Sequence, residues 1–271
     1  MSSQRVQIRE LAGWDFDDYE YRPNSYDLCK KSEARRVMVQ RPPFQLTSAF
    51  LEAETAALRD PLAIQALRPD LHAEMSGLNW SIGIVDLRFL LAFQRRLTFD
   101  QRFLQIPAPA TDNWDALTAL SFGPRKPVIC DFIHDRTTVV LRSSNPNMHF
   151  RVSTDTSSPV TIHAGSSFFE VAQYRGRWFL RDGYHRAYTI LRAGIFHLPA
   201  VIVQAMTLEE LGASQPWFYP EEVLFSSSPP LVTDFLDDRL VLEYDRPPLI
   251  KTLRVTVEET LTPAKSSGEN S

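Results

Sequence analysis

The stretch from Phe168 to Val203 constrains the fold of this chain more than any other. Phe168 to Tyr174 reads as a strand, Arg175-Gly176 as a tight connection, and Arg177 to Leu180 as the returning strand of a β-hairpin. Asp182-Gly183 closes that strand. Tyr184 to Ala193 then reads as a helix with Ala187, Ile190 and Leu191 on its inner side, and Gly194 stops it. Leu198-Pro-Ala-Val-Ile-Val203 follows as a buried strand, with Pro199 near its beginning, where a missing donor is tolerated. The order is strand, hairpin, strand, helix, strand, behind a mainly helical first region, and the expected class is α+β.

The turn between Leu180 and Tyr184 has a chemical consequence. The first amide groups of a helix lack intrahelical partners, and with the positive end of the helix dipole they make an anion site. Gly183 permits close backbone approach and dihedral angles closed to other residues. His185 and Arg186 fall in the first turn, where they can add donors to a phosphate, the arginine through a fork that binds two oxygens. Asp182 can cap the helix, orient His185 or hold a metal carried by a nucleotide. Cations at a helix N-terminus cost ~0.3–1 kcal/mol each unless an anion joins them, which favours a bound anion. The plainer alternative makes Asp182 an N-cap and leaves His185 and Arg186 as first-turn surface residues.

Arg181-Asp-Gly-Tyr-His-Arg-Ala-Tyr-Thr-Ile-Leu-Arg-Ala-Gly194, followed by Leu198 to Val203, resembles the nucleotide-binding core of ParB/sulfiredoxin-like proteins in an Asp-Gly-x-His-Arg variant. The likeness covers Val160 to Val203. It implies a ParB/sulfiredoxin-like mixed sheet with a helix after the turn. It also implies a ligand, ATP or CTP with Mg2+, held by Asp182, Gly183, Tyr184, His185 and Arg186, with Arg181, His163 and Glu170 as accessory candidates. Where sulfiredoxins have their catalytic cysteine, after the glycine, this chain has Tyr184, so sulfinate reduction is not expected. Partitioning proteins of the family carry a helix-turn-helix after the core, and the Pro-rich segment after Val203 does not read as one. Serine-kinase-like members carry Asp-Gly-His-Thr-Arg, close to Asp182 to Arg186, with a catalytic acid upstream. Glu170 is the nearest acidic residue on a strand here, though its place on the hairpin also suits a solvated face. No catalytic residue is assigned.

Composition narrows the partners. A net charge of −4 and a pI near 5.9 argue against a dedicated nucleic-acid binder. Cys29 and Cys130 lie far apart without a CxxC partner, which suits reduced structural thiols and a cytoplasmic setting. Met1 to Glu10 lacks the apolar core of a signal peptide, and Asp86 and Arg88 interrupt the most apolar stretch, so no membrane association is expected.

Four regions are expected along the chain. Residues 1–125 read as mainly helical, with helices starting at Asp60-Pro61, running from Val85 to Arg96, and spanning Asp112 to Leu120 behind a Thr111 or Asp112 cap. Residues 126–206 form the core, with further strands at Val128 to Phe132, Thr137 to Leu141, Met148 to Val152 and Val160 to His163. Residues 207–262 read as a Pro-rich wrapping extension that opens with a capping box, Thr207-Leu-Glu-Glu210, and ends in a strand from Lys251 to Val257. Residues 263–271 read as a disordered tail.

Several other clusters compete for attention. Asp131-Phe-Ile-His-Asp135 could bind a divalent ion or simply line a loop. Arg175, Arg177, Arg181, Arg186 and Arg192 could rim a phosphate or guard a hairpin edge. Trp217-Phe-Tyr219 could stack on a base, but pinning the Pro-rich segment to the core is the better reading. His197 reads as a loop cap. The expected function is binding of a nucleotide or other phosphate-bearing ligand in a regulatory role, with no resident metal site. An ATP-dependent phosphotransferase or NTP hydrolase is the alternative, and a DNA-binding or nuclease role is the least favoured.

Overall fold

The structure is a computed structural model that describes residues 5–23, 27–52, 56–100, 113–124, 127–135, 137–145, 147–152 and 160–261. The chain begins β1 (Val6–Leu11), α1 (Asp27–Val39), β2 (Phe50–Leu51), α2 (Ala56–Ala66) and α3 (Pro69–Glu74). Then come β3 (Trp80–Asp86), β4 (Leu91–Ala92), β5 (Arg96–Phe99) and α4 (Trp114–Ser121). Four strands follow: β6 (Asp131–Asp135), β7 (Thr138–Ser143), β8 (Met148–Val152) and β9 (Val160–Ala164). Next are β10 (Glu170–Tyr174), β11 (Arg177–Asp182), α5 (Tyr184–Arg192) and β12 (His197–Gln204). The chain ends with α6 (Leu208–Leu211), α7 (Glu221–Leu224), β13 (Val241–Arg246) and β14 (Lys251–Thr256). The class is α+β. Among the described residues no helix is long and apolar enough to cross a membrane.

Two compact units result, residues 1–125 with 166–248, and residues 126–165 with 249–271. The expected boundary at 125 falls where the chain passes from one unit to the other, whereas those at 206 and 262 do not coincide with this division. Residues 126–165 join the C-terminal segment instead of forming one contiguous core with 166–206. The tail at 263–271 lies outside the described residues.

In the larger unit a six-stranded sheet runs in the order β2-β3-β12-β10-β11-β4. β10 and β11 form the expected antiparallel hairpin, and α5 carries the chain back so that β12 lies parallel to β10 on its other side. The hairpin turns tightly because Arg175 and Gly176 both take positive φ, 48° and 76°, as a two-residue turn of this hand requires. Leu198 to Val203 are buried without alternation, the mark of a central strand covered on both faces. Ala187, Ile190 and Leu191 of α5 are buried as the spacing predicts. A second sheet of the same unit runs β13-β1-β5.

The first 125 residues depart most from expectation, since five strands lie among their helices. Val85 to Arg96 is no helix: it holds the end of β3, a short 3-10 turn at Leu87–Phe89, β4 and the start of β5. Val85, Leu87, Leu90, Leu91 and Phe93 are all buried, and within the segment only Arg88 and Phe89 are exposed. β3 pairs along its whole length with β12, from Trp80 on Val203 to Asp86 on His197. That ladder, with the pairing of β4 on β11 and of β5 on β1, overrides the near-helical spacing. Pro61 does not start its helix but sits inside α2. The cap of α4 is Asn113, whose Oδ1 accepts from the Ala116 amide at 2.9 Å; Thr111 and Asp112 lie outside the described residues.

The smaller unit holds a three-stranded sheet, β14-β7-β6, and the β8-β9 hairpin. Its described core is slight: Leu141, Ser143, Met148 and Ala164 are buried, while Ile129, Phe132 and Ile133 are exposed. In β6 the strand pleat puts Asp131 and His134 on opposite faces, so these two do not converge.

Candidate functional site

The β11–α5 turn is built by an irregularity that the sequence does not announce. Val171 pairs with Leu180 but Glu170 pairs with Asp182, which leaves Arg181 as the extra residue of a β-bulge. Bulges re-aim side chains. Here one sets the carboxylates of Glu170 and Asp182 opposite each other, a pairing of like charges that needs compensation. Arg181 supplies part of it, bonding Glu170 through Nη1 while its Nε donates to the Glu210 carbonyl at 3.0 Å. Glu170 is therefore a buried, ion-paired residue and not part of a solvated face.

Gly183 takes φ +104° at the N-terminus of α5. A Cβ there would lie 2.5 Å from Cδ2 of Phe169, so the space left by the missing side chain is filled by that ring. No side chain caps α5, whereas Asn113 caps α4 and Thr207 caps α6. The Ala187 amide bonds the Gly183 carbonyl at 2.8 Å, and the amides before it have no intrahelical acceptor.

The three side chains that follow turn into the unit. The buried Tyr184 hydroxyl accepts from the Phe93 amide at 3.0 Å and the Gln94 amide at 3.4 Å. Burial pushes its ionisation up, so it remains a neutral phenol. Nε2 of His185 donates to the Thr98 carbonyl at 2.9 Å, which puts the proton on that nitrogen, and the ring meets Phe99 edge-on. Arg186 donates to the carbonyls of Leu120 at 3.2 Å, Ser167 at 2.9 Å and Phe168. Its guanidinium thus ties the last turn of α4 to the first turn of α5, where a cation suits the negative end of the α4 dipole.

Asp182 is the member of the motif left partly open. It lies 3.6 Å from Arg186, yet 42% of its side-chain surface reaches solvent. Even so, burial is the largest influence on its carboxyl, which is pushed up to about 6; the negative charges of Glu170 and Glu74 add to this, and Arg186 and the Ser166 amide oppose it. The solvent that reaches this side chain screens part of the effect.

The structure therefore gathers Asp182, Gly183, Tyr184, His185, Arg186, Arg181 and Glu170 in the larger unit. His163 belongs to the smaller unit, where its ring stacks on His149. The arginine cluster does not form an open rim: Arg177 donates to the Leu224 carbonyl at 2.8 Å and the Ser226 carbonyl at 3.1 Å, and Arg175 pairs with Glu221. Trp217 is exposed, whereas Tyr219 is buried against Trp14 and Arg95 and does the pinning. His197 lies 3.4 Å from the buried Asp86, which Arg88 also grips. Glu74, Ser166 and Phe169 shape the site from distant positions, and no local pattern marks them. Among the described residues, no group of three or more His, Cys, Asp and Glu side chains is placed to hold a metal.

Comparison with models of protein families, with curated proteins and with solved structures gave no match.

Proposed function

We propose that the Asp182–Arg186 turn binds a phosphate-bearing ligand, a nucleotide such as ATP or CTP with Mg2+, in a regulatory or binding role on a ParB/sulfiredoxin-like core. The observation that carries this is the start of α5: a helix opened by a left-handed glycine and left uncapped, next to a partly open carboxyl. Backbone amides are then the donors to the phosphate. His185 and Arg186 act as supports, since their polar atoms serve Thr98 and the α4 end. At pH 7 a carboxyl with a pKa of about 6 is mostly ionised and repels a phosphate. A magnesium ion resolves this, because it binds through one or two carboxylates together with substrate phosphates. The engagement of Arg175, Arg177, Arg181 and Arg186 with acceptors of the protein itself weighs against nucleic acid.

Thermal-shift and calorimetric titrations with ATP, CTP and GTP, each with and without Mg2+, test the reading. A hundredfold excess over Kd should stabilise the wild type by about 2.7 kcal/mol, and Asp182→Asn should abolish the Mg2+ requirement. Sulfate, whose charge is constant near neutral pH, isolates the carboxyl. Without Mg2+ it should bind more tightly to the wild type as pH falls through about 6, where Asp182 gains its proton, and show no such rise with Asp182→Asn. If no nucleotide or oxyanion shifts the wild-type melting temperature, the reading is wrong. The same pKa near neutrality suits a proton-transfer group, so product analysis after long incubation with bound nucleotide distinguishes a phosphotransferase or hydrolase from a sensor.

A further inference from the structure

The smaller unit holds a pair of imidazoles that the turn at α5 does not use. In the β8-β9 hairpin Met148 pairs with Ala164 and His149 with His163. Met148 and Ala164 are buried, so strand alternation turns the next pair, His149 and His163, to the opposite face, where His149 is exposed and His163 half-buried. The two rings lie with centroids 5.5 Å apart and planes inclined by 27°. We propose that His149 and His163 together form a binding site for a borderline divalent transition-metal ion, Cu2+, Ni2+ or Zn2+.

Directly opposed residues on antiparallel strands have Cβ atoms about 4.5–5.5 Å apart. Modest side-chain rotation then brings one nitrogen of each ring to a shared ion at about 2.0–2.1 Å. The hairpin already fixes the two backbones, so the second imidazole joins with little further loss of freedom. Ligand chemistry selects the ion: neutral imidazole favours Zn2+, Cu2+ and Ni2+, whereas Mg2+ and Ca2+ take oxygen donors. No third His, Cys, Asp or Glu side chain joins the pair among the described residues. Two imidazoles fill part of the four-coordinate shell usual for Zn2+, and further ligands would complete it.

The full chain, made without an affinity tag, is titrated with Ni2+ by calorimetry and with Cu2+ by electron paramagnetic resonance. One saturable site is expected, with Cu2+ couplings from two imidazole nitrogens. His149→Gln and His163→Gln, which keep a polar side chain on the strand, should each weaken binding by ~10-fold or more. His72→Gln and His134→Gln should leave it unchanged, and circular dichroism should match the wild type throughout. Absence of saturable binding in the wild type overturns the proposal. Wild-type affinity in the His149→Gln/His163→Gln double variant overturns it equally.

Discussion

The two units of this chain use their polar residues in opposite ways. In the larger unit several charged groups point inward and are held. Glu10 is fully buried and is bonded by Arg22, Arg96 and the Tyr244 hydroxyl; Asp234 is gripped by Arg41; Arg186 serves three carbonyls. In the smaller unit Asp131, His134 and His149 stand on exposed strand positions above a slight core. A buried charged residue of the larger unit is therefore architectural before it is anything else, and a site there shows itself by the group left partly open, Asp182. In the smaller unit the proposed imidazole site lies on an outer strand face, where the fold depends on it less.

The largest test of this contrast is Arg186→Ala. It would strip a buried cation from three carbonyls and leave Asp182 without its partner, and breaking such a pair costs about 3–5 kcal/mol. All five tryptophans lie in the larger unit, so their fluorescence during urea unfolding reports on that unit alone. A loss below ~1 kcal/mol would mean that Arg186 is a ligand-facing residue after all. Gly183→Ala comes next. The new Cβ must accept φ +104° and meet the Phe169 ring, and backbone strain together with overpacking should cost about 2–4 kcal/mol on the same readout. A neutral result would show that the turn can relax, and would return Gly183 to the role of a ligand-approach residue.

What the sequence disclosed follows the same division between local and distant causes. Tyr184 to Ala193, the Arg175-Gly176 turn, the strand from Leu198 and the Thr207 cap were all legible, because each rests on neighbours a few positions apart. The strand at Trp80–Asp86 was not, since its reason is a ladder with β12 more than a hundred residues later. At the site, the motif itself was visible and its orientation was not. Whether His185 and Arg186 face a ligand or the interior depends on where Thr98, Leu120 and Ser167 arrive, and no spacing within Asp182 to Arg186 encodes that. The β-bulge at Arg181 is equally silent, yet it sets Glu170 against Asp182.

The smallest expected effect comes from the smaller unit, and it is the one that tells whether the contrast is real. His149 and His163 are a cross-strand aromatic pair on an outer face, and such pairs are worth about 0.2–1 kcal/mol. The double variant His149→Ala/His163→Ala should therefore lower stability by no more than ~1 kcal/mol. Because this unit contains no tryptophan, far-ultraviolet circular dichroism is the appropriate melting probe, with tryptophan fluorescence unchanged beside it. A loss above ~2 kcal/mol would make the imidazole pair as structural as Arg186 and would remove the distinction between the units. A loss within the expected range, together with loss of Ni2+ binding, would separate the two roles: in one unit the polar groups hold the fold, in the other they hold only what comes to it.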